Sequence, residues 1–184
     1  AEAGYRLVLV ARDQARLTTL AAELGDPGRV WPAACDVTDW AQLDGLVTRV
    51  RERWGRLDVV FANAGASVVT SFLGDGGAPP QEWRDMVLAN VYGPALTARA
   101  TLPALVGSGG HLVLTGSAAG RGVRPGNLYS ATKWAVTGLA QNILFRREVL
   151  ELALYTFKYV PGVDNVLALL QPDRNKAPEV FYFH

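Results

Sequence analysis

Apolar positions recur along this chain in two rhythms, one suited to strands and one to helices, and the two take turns. Residues 5–11 (YRLVLVA) form an apolar run of the length of a buried strand. Leu17, Leu20, Ala21 and Leu24 follow at helical spacing, and Gly25 is a stop signal. Residues 30–34 predict a second strand. Trp40, Leu43, Val47, Val50 and Trp54 then make one stripe of a helix, which reads as core. Thr38 is the expected N-cap of that helix and Gly55 its expected end. Residues 57–62 predict a third strand, and the Gly- and Pro-rich stretch 71–80 a loop. A long helix is expected over about 81–105, kinked at Pro94, because proline removes a backbone donor and crowds the preceding turn. Residues 111–114 predict a strand and 115–126 a loop. Tyr129 opens another helix, which runs on through Val136, Leu139, Ala140 and Ile143. Residues 152–160 alternate and predict a further strand before Pro161-Gly162. Residues 180–183 are either a strand or an exposed apolar end. Before Tyr5, residues 1–4 read as the last turn of a helix closed by Gly4.

Strands alternating with helices imply an α/β fold: a doubly wound parallel sheet in a three-layer α/β/α arrangement, taken here as one domain over residues 1–184. In such sheets ligands sit outside the carboxyl ends of the strands. The polar residues gather there. Arg12 follows the first strand, Asp36 the second, Asn63-Ala64-Gly65 the third and Ser117 the fourth.

Composition narrows the chemistry. With 184 residues, 49% hydrophobic, and a formal net charge of +1, nothing points to a nucleic-acid partner or an acidic membrane surface. A single cysteine, Cys35, excludes an internal disulfide and a cysteine-based zinc site. Two histidines, His111 and His184, leave little for a metal, and none is expected. No apolar run reaches membrane-spanning length and no signal peptide opens the chain, so the expected location is cytoplasmic.

Tyr129 and Lys133 carry the sharper signal. A tyrosine and a lysine four residues apart share one helix face. An ammonium near a phenol favours phenolate, which makes Tyr129 a candidate proton donor and acceptor. Alone, the pair is an ordinary coincidence of surface residues. Upstream, however, stand Asn63-Ala64-Gly65, Asn90-Val91-Tyr92-Gly93, Thr115-Gly116-Ser117-Ala118-Ala119-Gly120 and Pro125-Gly126. In this order and spacing they resemble the short-chain dehydrogenase/reductase family, over residues 1 to about 142.

The resemblance implies a Rossmann-type sheet and an oxidoreductase that interconverts an alcohol and a carbonyl with a nicotinamide cofactor. It implies that Ser117 bonds the substrate oxygen and Tyr129 relays the proton. Lys133 would hold the nicotinamide ribose, and Asn90 a water leading to solvent. The segment between Pro125-Gly126 and Tyr129 is shorter than usual, so Ser117, not Gly116, is the match. In isolation Ser117 is a turn serine and Asn90 a kink asparagine. Arg12 stands where members that use NAD place an acid, which points to NADP over NAD through a guanidinium–phosphate pair; otherwise Arg12 only starts the next helix. Asp36 would meet the adenine amino group, with Val37 against the ring, or else Asp36 is a turn residue. Ala64 and Gly65 would let backbone approach the cofactor. Asn63 more naturally ties neighbouring strands. Pro161 and Gly162 would pack on the nicotinamide. A small alcohol or carbonyl is the expected substrate, and a homo-oligomer the expected assembly.

Two departures stand out. The first strand and glycine-rich phosphate loop of the pattern are not found before Tyr5, which leaves the flanking strands to pair directly, swap with a partner or accept a substitute. The tail is compressed, with Gln171-Pro172-Asp173 and residues 179–183 only loosely matching. The competing reading is a truncated, inactive family member that acts through protein association.

Overall fold

β1 (Leu7–Ala11) lies parallel to β2 (Val30–Ala34), with Leu7 opposite Val30 and Ala11 opposite Ala34. A computed structural model describes the backbone of residues 4–74, 76–122, 127–159, 166–170 and 179–183, and side chains within these as far as residue 143. Residues 1–3, for which a helix end was expected, lie outside the described residues. The chain divides into two compact units, Ala1–Thr137 and Gly138–His184, where the sequence reads as one domain.

In the first unit each parallel pair is joined through helices, as a parallel connection requires. α1 (Gln14–Leu24) begins at Asp13, whose side chain accepts from the Arg16 amide, and ends at Gly25, φ 66°. α2 (Trp40–Trp54) ends at Gly55 in the left-handed region, as expected. Its N-cap is Asp39, not Thr38: Asp39 Oδ1 accepts from the Gln42 amide at 3.1 Å. The Thr38 hydroxyl instead donates to Asp36 Oδ1, 2.7 Å away. Leu43, Leu46 and Val50 of α2 meet Ala33 and Cys35 on one side and Leu96 and Ala100 on the other, which is the centre of the core.

β3 (Val59–Ala62) pairs in parallel with β4 (His111–Leu114). Between them run α3 (Pro80–Val87) and α4 (Gly93–Ser108). The expected kink takes a particular form, a π-helical turn over Leu88–Tyr92. Gly93 N donates to Leu88 O, five residues back. Pro94 has no N–H to give Asn90 O, four residues back, so the wider turn forms where the regular bond cannot.

Among the described residues β1 bonds only β2 and β3 bonds only β4. The parallel sheet is therefore present as two pairs, and β1 and β3 do not pair with each other.

α5 (Leu128–Tyr159) starts in the first unit and extends into the second. Residues 152–159 are helical, not a strand. From Leu139 to Tyr159 no Gly or Pro interrupts the chain, and Leu, Ala, Glu and Arg favour helix, which overrides a short alternation. β5 (Val166–Leu170) and β6 (Glu179–Phe183) pair antiparallel, so residues 180–183 are a strand. Val160, Pro161, Gly162 and Gln171-Pro172-Asp173 lie outside the described residues. Among the described residues no helix is long and apolar enough to cross a membrane, and no group of three or more His, Cys, Asp or Glu could hold a metal ion.

Candidate active site

The first turn of α5 is held by side chains. Asn127 Oδ1 accepts from the Tyr129 amide at 2.9 Å, and Thr70 Oγ1 accepts from the Leu128 amide at 3.1 Å. These satisfy donors that a helix start leaves open, and they fix the backbone that carries Tyr129. One turn later, Lys133 is buried to 7% exposure. Its Nζ lies 5.7 Å from the centroid of the Tyr129 ring and donates to Thr115 O at 3.0 Å. Burying a cation is expensive unless it is bonded or faces a polarisable ring. Both partners are present, and among the described residues no carboxylate pairs with Lys133. Tyr129 itself is half-buried.

Ser117 follows β4 and caps a short 3₁₀ turn, Ala118–Gly120, its Oγ accepting from the Ala119 amide at 3.1 Å. A hydroxyl that accepts in this way keeps its own proton to donate. The turn sits directly against α5. Ser130 Oγ donates to Ala119 O at 2.6 Å and Thr137 Oγ1 to Gly120 O at 3.2 Å. A Cβ at Gly120 would lie 2.5 Å from Lys133 O, so only glycine lets the two backbones meet.

Asn90 is 1% exposed, in the π-helical turn. Its side chain accepts from the Ala66 amide at 2.7 Å and donates to Ala66 O at 2.8 Å and to Thr132 Oγ1 at 3.0 Å. It thus ties the chain leaving β3 to α5. A Cβ at Gly65 would come within 2.8 Å of Asn90 Oδ1, which gives the glycine a reason independent of any cofactor. Asn63 joins the ends of the second parallel pair, accepting from the Thr115 hydroxyl at 2.9 Å. Ala64 and Gly65 are exposed beside it.

The ends of the first pair carry a second group. Asp36 Oδ1 accepts from both the amide and the hydroxyl of Thr38, at 2.9 and 2.7 Å. Those bonds hold its carboxyl below the usual carboxylate range, with a further, smaller pull from Arg12. Asp36 thus closes a turn through Oδ1. Arg12 is exposed at the end of β1 and, among the described residues, donates no hydrogen bond and joins no ion pair. Val37 packs within reach of Gly93 at the head of α4. Cys35 is buried and burial pushes its thiol up, which leaves it inert as a nucleophile.

Hydrogen bonds thus join Asn90, the loop after Ser117 and the α5 turn with Tyr129 and Lys133 into one site at the carboxyl ends of β3 and β4. Pro161 and Gly162 fall outside the described residues. Ser130, Thr132 and Thr137 were given no role from sequence, and Gly120 was read only as part of the Thr115–Gly120 motif. Their spacing puts Ser130, Lys133 and Thr137 on one helix face, but a hydroxyl in a helix looks like a surface residue until its burial is known.

Comparison with known proteins settles the ancestry. Residues 1–155 match the family of short chain dehydrogenases. This chain belongs to the short chain dehydrogenase family. It is similar to an uncharacterized oxidoreductase of Staphylococcus saprophyticus, 29% identical over 89% of this chain and 69% of that protein. It is also similar to a sulfoacetaldehyde reductase of Chromohalobacter salexigens, 32% identical over 78% of this chain and 57% of that one. Among solved structures, an alcohol dehydrogenase from Thermococcus sibiricus complexed with 5-hydroxy-NADP aligns with TM-score 0.72 and 31% identity. That match covers 78% of this chain and 61% of the archaeal one, so the dehydrogenase chain described here spans under two thirds of that relative's length.

Proposed function

We propose that this short chain dehydrogenase interconverts an alcohol and a carbonyl by hydride transfer, with NADP in preference to NAD. The observation that carries the reading is the buried Lys133 ammonium, set over the Tyr129 ring and bonded to Thr115 O. The reductase of C. salexigens and the 5-hydroxy-NADP complex of the archaeal enzyme support it.

NADP, when bound, supplies or takes up the hydride. Arg12, exposed at the end of β1, has a guanidinium that suits a 2′-phosphate, and Asp36, Val37 and the exposed Ala64–Gly65 backbone would line the remainder of its path. Lys133 has two further N–H donors for ribose hydroxyls. The Ser117 hydroxyl, oriented by the Ala119 amide, donates to the substrate oxygen. Tyr129 gives its phenolic proton to the alkoxide during reduction and takes it back during oxidation. Asn90 serves through its backbone: its side chain is fully engaged, whereas its carbonyl has no donor four residues on, since that residue is Pro94. That carbonyl suits a water leading from Lys133 to solvent.

Consumption of NADPH in the presence of small aldehydes and ketones tests the reading. In the same assay, Arg12→Ala should raise the NADPH concentration needed by about tenfold or more, the worth of a charged hydrogen bond, and leave the NADH requirement nearly unchanged. A parallel loss with both cofactors would remove Arg12 from the 2′-phosphate.

A further inference from the structure

Three donors on one face of α5 reach three backbone carbonyls of the loop that carries Ser117. Ser130 Oγ donates to Ala119 O at 2.6 Å and Lys133 Nζ to Thr115 O at 3.0 Å, and Thr137 Oγ1 shares its one proton between Gly120 O and Lys133 O of its own helix, each at 3.2 Å. Ser130 and Thr137 lie two helical turns apart, with Lys133 between them. Their acceptors bracket Ser117 on both sides. Ser130 is 5% exposed and Ala119 6%, so water does not compete for the bond between them; the Lys133 and Thr137 bonds are partly buried. The missing Cβ of Gly120 lets the loop backbone come against the helix backbone at Lys133.

Held by one bond, the 115–120 loop could pivot. Held by three bonds along a rigid helix, it has one register. Ser130 also adjoins Tyr129 in sequence, so the bond to Ala119 links the two sides of the reacting centre by the shortest covalent route. We infer that Ser130 and Thr137 are positioning residues of the dehydrogenase: their hydroxyls staple the 115–120 loop to α5 and thereby set Ser117 against Tyr129. The inference rests on the proposed function for its catalytic consequence, though not for the staple itself. It also gives Lys133 a second task. Its bond to Thr115 O holds the loop in place as well as presenting a cation to the tyrosine.

A catalytic hydroxyl misplaced by about 1 Å loses on the order of a hundredfold in rate. Uniform weakening of the fold would not do this, because it reduces the amount of folded enzyme and leaves turnover per folded molecule alone. The discriminating variants are Ser130→Ala, Thr137→Val and Thr137→Ser. The first two delete a hydroxyl at nearly constant shape, and the third keeps the hydroxyl while deleting only a methyl.

Two readouts are taken on the full chain with NADPH and an accepted carbonyl: amide hydrogen exchange across residues 117–121, and kcat and KM per folded molecule. Ser130→Ala should raise exchange across 117–121 by roughly tenfold, the equivalent of one net hydrogen bond, and lower kcat by about 10–100-fold with the KM for NADPH unmoved. Thr137→Val should act in the same direction and Thr137→Ser should restore both. Unchanged exchange in Ser130→Ala would overturn the staple. Raised exchange with unchanged kcat would overturn its positioning role. A parent chain that turns nothing over would contradict the proposed function, while its exchange rates still decide whether the hydroxyls hold the loop.

Discussion

Tyr129→Phe should abolish carbonyl reduction, lowering kcat by about 10²–10⁴-fold, the usual worth of a positioned proton donor. The substitution removes one oxygen. It keeps the ring that faces Lys133 Nζ at 5.7 Å, the amide that Asn127 caps and the carbonyl that Thr132 bonds. Folding and the cofactor contacts of Lys133 therefore have no reason to change. Steady-state reduction and NADPH affinity, measured on the same preparation, check both halves. Loss of activity with retained affinity is the expected pair. A variant as active as the parent would remove Tyr129 from the proton path.

Asn90→Leu should lower stability. Leucine keeps the same branching of heavy atoms, is bulkier, and makes none of the three bonds to Ala66 and Thr132. A buried polar group left unpaired costs about 1–3 kcal/mol. Ala66 is itself exposed, so water recovers part of the loss. Thr132 retains its bond to Tyr129 O. The net effect is about 2 kcal/mol, read as a lower midpoint in urea unfolding at unchanged slope. An unchanged midpoint would mean that the Asn90 clamp does not hold the chain after β3 to α5.

The order of strands and helices was legible because each element is long and periodic, and because Gly25 and Gly55 end helices where expected. What was not legible depended on competition between neighbours. Thr38 looks like a good cap, but the residue that accepts from the helix start is Asp39, one position on, while the Thr38 hydroxyl donates to Asp36. Pro94 signals a kink, yet a π-helical turn follows only because Gly93 can reach Leu88 O. Residues 152–159 alternate over a stretch too short to outweigh helix propensity.

The site divides the same way. Tyr129, Lys133, Ser117 and Asn90 were found because their types and order form a pattern. The bonds that organise them were hidden, since Ser130 to Ala119 and Asn90 to Ala66 span 11 and 24 residues and end on backbone atoms. Backbone acceptors carry no sequence signature. Asn90 shows the consequence: the bonds of its side chain to Ala66 and Thr132 could not be read from the sequence.

This chain should hold a nicotinamide cofactor at the site of Tyr129 and Lys133. The direct measurement is a titration of the purified chain with NADPH, following nicotinamide fluorescence and tryptophan quenching, with NADH in parallel. Saturable binding that is tighter for NADPH is the predicted result. No binding of either nucleotide by a chain that circular dichroism shows to be folded would contradict the account.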